Sequence, residues 1–187
     1  MIKTKLADRM MCAQDAVRYV TLECGVSASN RGISERVGGL LTLRGLRLTA
    51  QRAGYPDAQG ADLAEIAANS AKQNGIGNCY EMSAIAFQRL KIRASRIGPV
   101  NWCSVSGHAT GHGIVILGKL QGWCTDVSAK PPKSKARPDS SWGVMNTNPA
   151  TWPIDAVICD PWANKAYAAP EWDRNEPGRY VEICATA

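Results

Sequence analysis

Several absences narrow what this chain can be. No stretch approaches the ~18 consecutive apolar residues of a membrane-spanning helix, so none is expected. The opening Met1-Ile2-Lys3-Thr4-Lys5-Leu6-Ala7-Asp8 lacks the apolar core of a secretory signal, which argues against the general export route and for a cytoplasmic location in the producing cell. Cys-x-x-Cys pairs are missing as well. The seven cysteines (Cys12, Cys24, Cys79, Cys103, Cys124, Cys159 and Cys184) are an odd number in a chain too long to need a disulfide scaffold. They read as mostly reduced thiols, several of them packed as small hydrophobes. Histidine is almost absent: His108 and His112 are the only two, and any imidazole chemistry must fall on one of them.

What is present fits one globular domain. A chain of 187 residues can bury a real core, and a single α+β domain over residues 1–187 is expected, with helices up to about residue 93 and a sheet from about 96 onward. The net charge of +6 raises the question of nucleic acid. Four of those charges, Lys130, Lys133, Lys135 and Arg137, lie in one Pro-containing loop, and the remainder is +2. No aromatic residue stands between them to stack a base, so the tract reads as a solvated loop rather than a nucleic-acid site.

Apolar residues at Leu6, Met10, Ala13, Val17 and Val20 recur every three or four positions and predict a helix from about 5 to 24, closed by Gly25. Residues 33–53 carry a leucine-rich pattern broken by Gly38, Gly39 and Gly45, read here as helix. Asp62 is expected to cap a further helix through Lys72, ended by the glycines of Asn74-Gly75-Ile76-Gly77. Met82, Ile85, Ala86 and Leu90 then mark a central, buried helix from Cys79 to about Arg93. Strands are expected at Pro99–Val105, Gly113–Leu117, Gly122–Val127, Ala156–Cys159, Ala166–Ala168 and Tyr180–Cys184. Helices followed by an antiparallel sheet make an α+β fold. The irregular segment from Ser128 to Pro153 is long for a compact domain.

Three short motifs carry the chemistry. Gly75-Ile76-Gly77-Asn78-Cys79-Tyr80-Glu81 puts a cysteine where a glycine turn becomes a helix, and there the free amides and helix dipole favour a thiolate. The same amides can hold an oxyanion, and the glycines are expected to let a substrate approach the backbone. A helix start that merely contains a cysteine is the competing explanation. His112 directly precedes the apolar strand Gly113-Ile114-Val115-Ile116-Leu117, which would hold it firmly as the base; His108, in a loop of small residues, is the alternative. Ala156-Val157-Ile158-Cys159-Asp160-Pro161-Trp162 ends an apolar strand in an acid that could orient the imidazole, with Trp162 shielding it. An ordinary Asp-Pro turn would look the same, and Asp126 is the rival third member.

In this order these motifs resemble the papain-fold superfamily in its transglutaminase-like arrangement, including bacterial effector proteases and deamidases. The resemblance covers roughly residues 73–168. It implies a papain-like core in which Cys79, His112 and Asp160 form a triad without a cofactor or metal. The substrate would be a protein or peptide carboxamide or peptide bond, with protease, glutamine deamidase or transglutaminase outcomes. It also implies an effector or toxin delivered into a target cell by a specialised secretion system. Gln73 stands at the offset of the papain oxyanion glutamine, with Asn78 or the Cys79 amide as alternatives. Trp142 and Trp152, in the long irregular segment, become candidates to shape the substrate site together with Trp162, although the first two could instead pin that segment to the core. Unlike eukaryotic transglutaminases, which have Trp after the nucleophile, this chain has Tyr80, and the step of 48 residues from His112 to Asp160 is long for the superfamily.

Other classes compete. Peptidoglycan amidases with Cys-His sites would favour Asp126 as third member. A non-catalytic zinc module could use Cys103, His108 and His112, completed by Cys79 or Cys124, although the spacing is loose. A binding module built on the basic loop is the third alternative.

Overall fold

The structure, a computed structural model, describes residues 2–28, 60–106, 112–120, 152–175 and 180–187. The first helix, α1, runs Ile2–Arg18 and turns its Cys12, Ala13, Ala16 and Val17 face inward. Its last turn widens into a π-helical turn, Tyr19–Glu23, in which the Cys24 amide donates to the Tyr19 carbonyl at 2.8 Å. Periodicity places this helix correctly but does not reveal that the final turn changes pitch. A two-residue strand, β1 (Ser27–Ala28), pairs in parallel with β2 (Ile76–Gly77). Two residues are too few to leave a pattern in sequence.

Helix α2 (Gly60–Asn74) buries Ala64, Ala68 and Ala71, a stripe of small side chains that lets it pack closely on α3 (Cys79–Lys91). Asp62 lies inside the first turn of α2, where its charge suits the helix dipole, rather than at the cap. In α3, Met82, Ala84, Ile85, Ala86, Phe87 and Leu90 are all buried, as expected of a central helix. Phe87, the only phenylalanine of the chain, is fully covered and stacks on Trp102 with 6.4 Å between ring centroids. Burying a side chain of that size stabilises the fold by about 1.5–3 kcal/mol. A short helix, α4 (Ala94–Ile97), leads into the sheet.

Five strands form that sheet: β3 (Val100–Ser106), β4 (His112–Leu117), β5 (Val157–Asp160), β6 (Lys165–Ala168) and β7 (Tyr180–Thr186), in the order β6-β5-β4-β3-β7 with every neighbouring pair antiparallel. Helices before an antiparallel sheet are the α+β arrangement expected. The expected segments 33–53 and Gly122–Val127, and the basic loop, lie outside the described residues. Strand alternation sorts the core into two layers. Val100, Trp102, Val115, Leu117, Val157 and Cys159 face α1, α2 and α3. Cys103, Val105, Ile114, Ile116 and Ile158 face the other way, onto Trp152, Tyr167, Ala169 and Trp172 of the far layer. Trp172 opens the short α5 (Trp172–Asn175) and packs on Trp152 with ring centroids 5.0 Å apart.

At one end of the sheet Arg9, only 4 % exposed, ties the layers together. Its Nε donates to the Ile97 carbonyl at 2.7 Å, and Nη1 reaches both the carbonyl and a carboxylate oxygen of Asp155 at 2.9 Å. Beside it, buried Asn101 donates to the carbonyls of Ile116 and Gly118 and accepts from Thr186.

Candidate active site

Cys79 is the first residue of α3, and the chain enters that helix under tight local control. Gly75 turns with φ +66°, a conformation that side-chain-bearing residues rarely adopt. Gly77, in β2, is packed against protein: a Cβ there would lie 3.1 Å from Glu81 Cβ and 3.2 Å from Val26 Cγ1. Room for a substrate was the expected reason for this glycine; close packing of the helix entrance is the observed one. Asn78 is the N-cap, its Oδ1 accepting from the Tyr80 amide at 2.9 Å while its own amide donates to Glu81 Oε2 at 3.0 Å. Such a reciprocal cap contributes about 1 kcal/mol and fixes where the helix begins, and hence where the Cys79 side chain starts.

His112 is the first residue of β4, half-buried at the strand mouth. Its Nε2 donates to Asp160 Oδ2 at 2.6 Å. Asp160 is the last residue of β5 and 2 % exposed. Its other oxygen accepts the Ala163 amide at 2.9 Å, so the turn after the strand orients the carboxylate and the carboxylate orients the ring. Trp162, in that same turn, meets the imidazole edge-on at 5.4 Å. The Asp-Pro turn and the acid that holds the imidazole are therefore one structure.

The imidazole's proton affinity joins the third residue to this pair. Burial by itself pushes the His112 pKa down from 6.5. The hydrogen bond to Asp160, a hydrogen bond to Cys79 and the charges of both groups outweigh that and raise it to about 10. With Nε2 taken by Asp160, Nδ1 is the ring nitrogen left to face the sulfur. Cys103 and Cys159 are in the opposite situation: fully covered, they bond weakly to the Asn101 and Ala13 carbonyls, and burial pushes both thiols well up. They are packing cysteines.

Further residues brace the site. Ser83, fully buried in α3, donates to the Tyr80 carbonyl at 2.8 Å and accepts from Trp102 Nε1 at 2.8 Å. The Tyr80 ring lies against Trp102, with centroids 4.6 Å apart. Gly113 lies directly beneath the helix start. Ser83, Trp102, Gly113 and the Ala163 amide leave no sequence signal of a place at this site beyond the His-Gly pair at the head of a strand.

The structure thus brings Cys79, His112 and Asp160 together, with Trp162 beside the imidazole. Gln73 stands exposed on the last turn of α2, and Asn78 serves the helix cap with its Oδ1 and amide. Trp152, expected to shape the substrate site, is 5 % exposed inside the far layer and pins its segment to the core instead. Asp126, His108, Trp142 and Cys124 lie outside the described residues. Among the described residues no group of three or more His, Cys, Asp or Glu side chains is placed to hold a metal, and Cys103 points into the far-layer core. No helix among them is long and apolar enough to cross a membrane.

Neither protein-family models nor curated protein sequences give a match to this chain.

Proposed function

We propose that this chain is a cysteine-nucleophile enzyme with a papain/transglutaminase-like core, acting on a carboxamide or peptide bond of a protein substrate. One observation carries the reading: a half-buried imidazole, gripped on one nitrogen by a buried carboxylate, whose proton affinity is raised by both that carboxylate and the helix-start cysteine. Structural histidines need no thiol partner, and packing cysteines need no imidazole. The two occur together where a thiol is to be activated.

On this reading the steps are these. The Cys79 thiolate, its proton held on His112, attacks the carbonyl carbon, and negative charge develops on the carbonyl oxygen. The positive end of α3 stabilises that oxygen. His112 passes its proton from Nδ1 to the departing nitrogen, the C–N bond breaks, and an amine or ammonia leaves an acyl thioester on Cys79. Neutral His112 then takes a proton from water as it attacks the thioester. The acid is released and the thiolate–imidazolium pair restored. An acceptor amine in place of water gives a crosslink. Asp160 keeps its grip on Nε2 throughout, fixing the ring and stabilising its charge.

The test is mass spectrometry of candidate protein and cell-wall substrates after incubation with the wild type and with Cys79→Ala. A cleavage, a one-dalton gain or a crosslink that depends on Cys79 supports the reading and names the outcome. The wild type and Cys79→Ala giving identical spectra across substrates, together with ordinary-thiol alkylation of Cys79, would remove it.

A further inference from the structure

Alternation along β4 sets an awkward geometric problem. Helix α3 covers the face made by Trp102, Val115 and Leu117, whereas His112 shares its alternation with Ile114 and Ile116 on the opposite layer. Cys79 begins on one side of the strand and its imidazole on the other, so they can meet only around the strand's open end. A side chain on the helix-facing residue there would hold the first turn of α3 off the strand by its own thickness. That residue is Gly113. A Cβ built on it would lie 2.6 Å from Ser83 Oγ, 2.8 Å from the Cys79 carbonyl oxygen and 2.9 Å from Tyr80 Cα, all nearer than the 3.0 Å that real Cβ atoms keep. Two of these three obstacles are backbone and cannot rotate aside.

The geometry points to Gly113 as a positioning residue for the reacting pair: its missing side chain seats the first turn of α3 on the backbone of β4, and that seating sets the reach of Cys79 to His112. The inference rests on reading those two residues as nucleophile and base. Ser83 keeps the seat in place, because the hydroxyl that closes over Gly113 is also tied to the Trp102 indole of β3 and to the Tyr80 carbonyl. The contact is therefore held from the helix and from two strands. Gly113 itself takes no part in the reaction.

Two readouts test this on the full chain: the pH profile of Cys79 alkylation by iodoacetamide, followed at that residue by peptide mapping, and the ring titration of His112 by NMR. Gly113→Ala should move the alkylation profile toward that of an ordinary thiol, about pH 8.5. It should slow Cys79 labelling at neutral pH about tenfold and lower the His112 titration. Val115→Ala is the control: it removes core volume from the same strand face without entering the seat, and should lower thermal stability while keeping both profiles. The inference is overturned if folded Gly113→Ala keeps both wild-type profiles, or if Val115→Ala shifts them equally. Should Gly113→Ala not fold, Ser83→Ala in the same chain removes the nearest obstacle and leaves the two backbone ones, so the profiles should still be lost. A double variant that also fails to fold makes Gly113 a folding requirement only, and the positioning role falls. Failure of the underlying reading looks different: His112→Ala would then leave wild-type Cys79 labelling unchanged, while Gly113→Ala still moves the His112 titration.

Discussion

Strand β4 has an ionisable side chain drawn away from solvent near each end, Arg9 buried and His112 half-buried, and the two ends behave differently. Beyond its last residue, Arg9 is bonded to two carbonyls and to Asp155. At its first residue, His112 is bonded to Asp160 at 2.6 Å and interacts with Cys79. Both ends carry the cost of taking charge out of water. A guanidinium does not give up its proton in a protein, so every contact of Arg9 is a fixed strut joining α1, α4 and the approach to β5. An imidazole can give up its proton, and here a thiol stands next to it. Whether a buried pair becomes scaffold or chemistry depends on which partner can titrate and what faces it.

This contrast can be broken from either end. The largest change in stability is expected from Arg9→Ala, which strands Asp155 and the carbonyls and should cost about 3–5 kcal/mol in urea denaturation. Its folded fraction should keep the wild-type alkylation profile of Cys79; a lost profile would mean the ends are not separable. Asp160→Asn should act in the opposite sense. It preserves the shape of the turn and weakens only the charge on Nε2. The His112 titration should fall and turnover of a substrate found by mass spectrometry should drop about hundredfold, with a smaller stability loss than Arg9→Ala. Turnover unchanged in that variant would reduce Asp160 to a turn former.

The pH dependence of folding gives the finest comparison. The folded chain holds the His112 pKa at about 10, above the unfolded 6.5, so the stabilisation is complete below pH 6.5 and is lost as pH rises through about 10. The stability difference between the wild type and His112→Ala should therefore shrink across that window, by up to ~1.4 kcal/mol per pH unit. A difference independent of pH would put His112 in the same class as Arg9.

Much of the scaffold was legible in the sequence because it repeats. The three-and-four spacing of α1, the apolar stripe of α3 and the continuous aliphatic runs of β4 and β5 each declare a period and a buried face. Cys79 stood out by its turn-to-helix setting and His112 by scarcity, since only two histidines exist. Asp160 was legible through the apolar run that ends at it. What did not show was pairwise and long-range. The β1–β2 pairing joins residues far apart through two positions each, and the π turn is a change of pitch within a regular pattern. The role of Gly77 depends on Val26 and Glu81, and that of Gly113 on the helix laid over it. Trp152 belonged equally well to a substrate rim or a core until its packing against Trp172 was seen.

One structural feature reaches beyond the site. Because Cys79 and His112 approach from opposite sides of a single strand, their separation measures the gap between α3 and the sheet. That gap is maintained along the whole contact, down to Phe87 on Trp102 at the centre of the helix. The Cys79–His112 pair is then a local gauge of the helix seat: a change that lifts the first turn of α3 off β4 would register in thiol reactivity, whereas a cavity deeper in the core, as in Val115→Ala, would be spanned by the rest of the contact. Thiol reactivity in this chain therefore reports the seat of one helical turn, and thermal stability reports the core behind it.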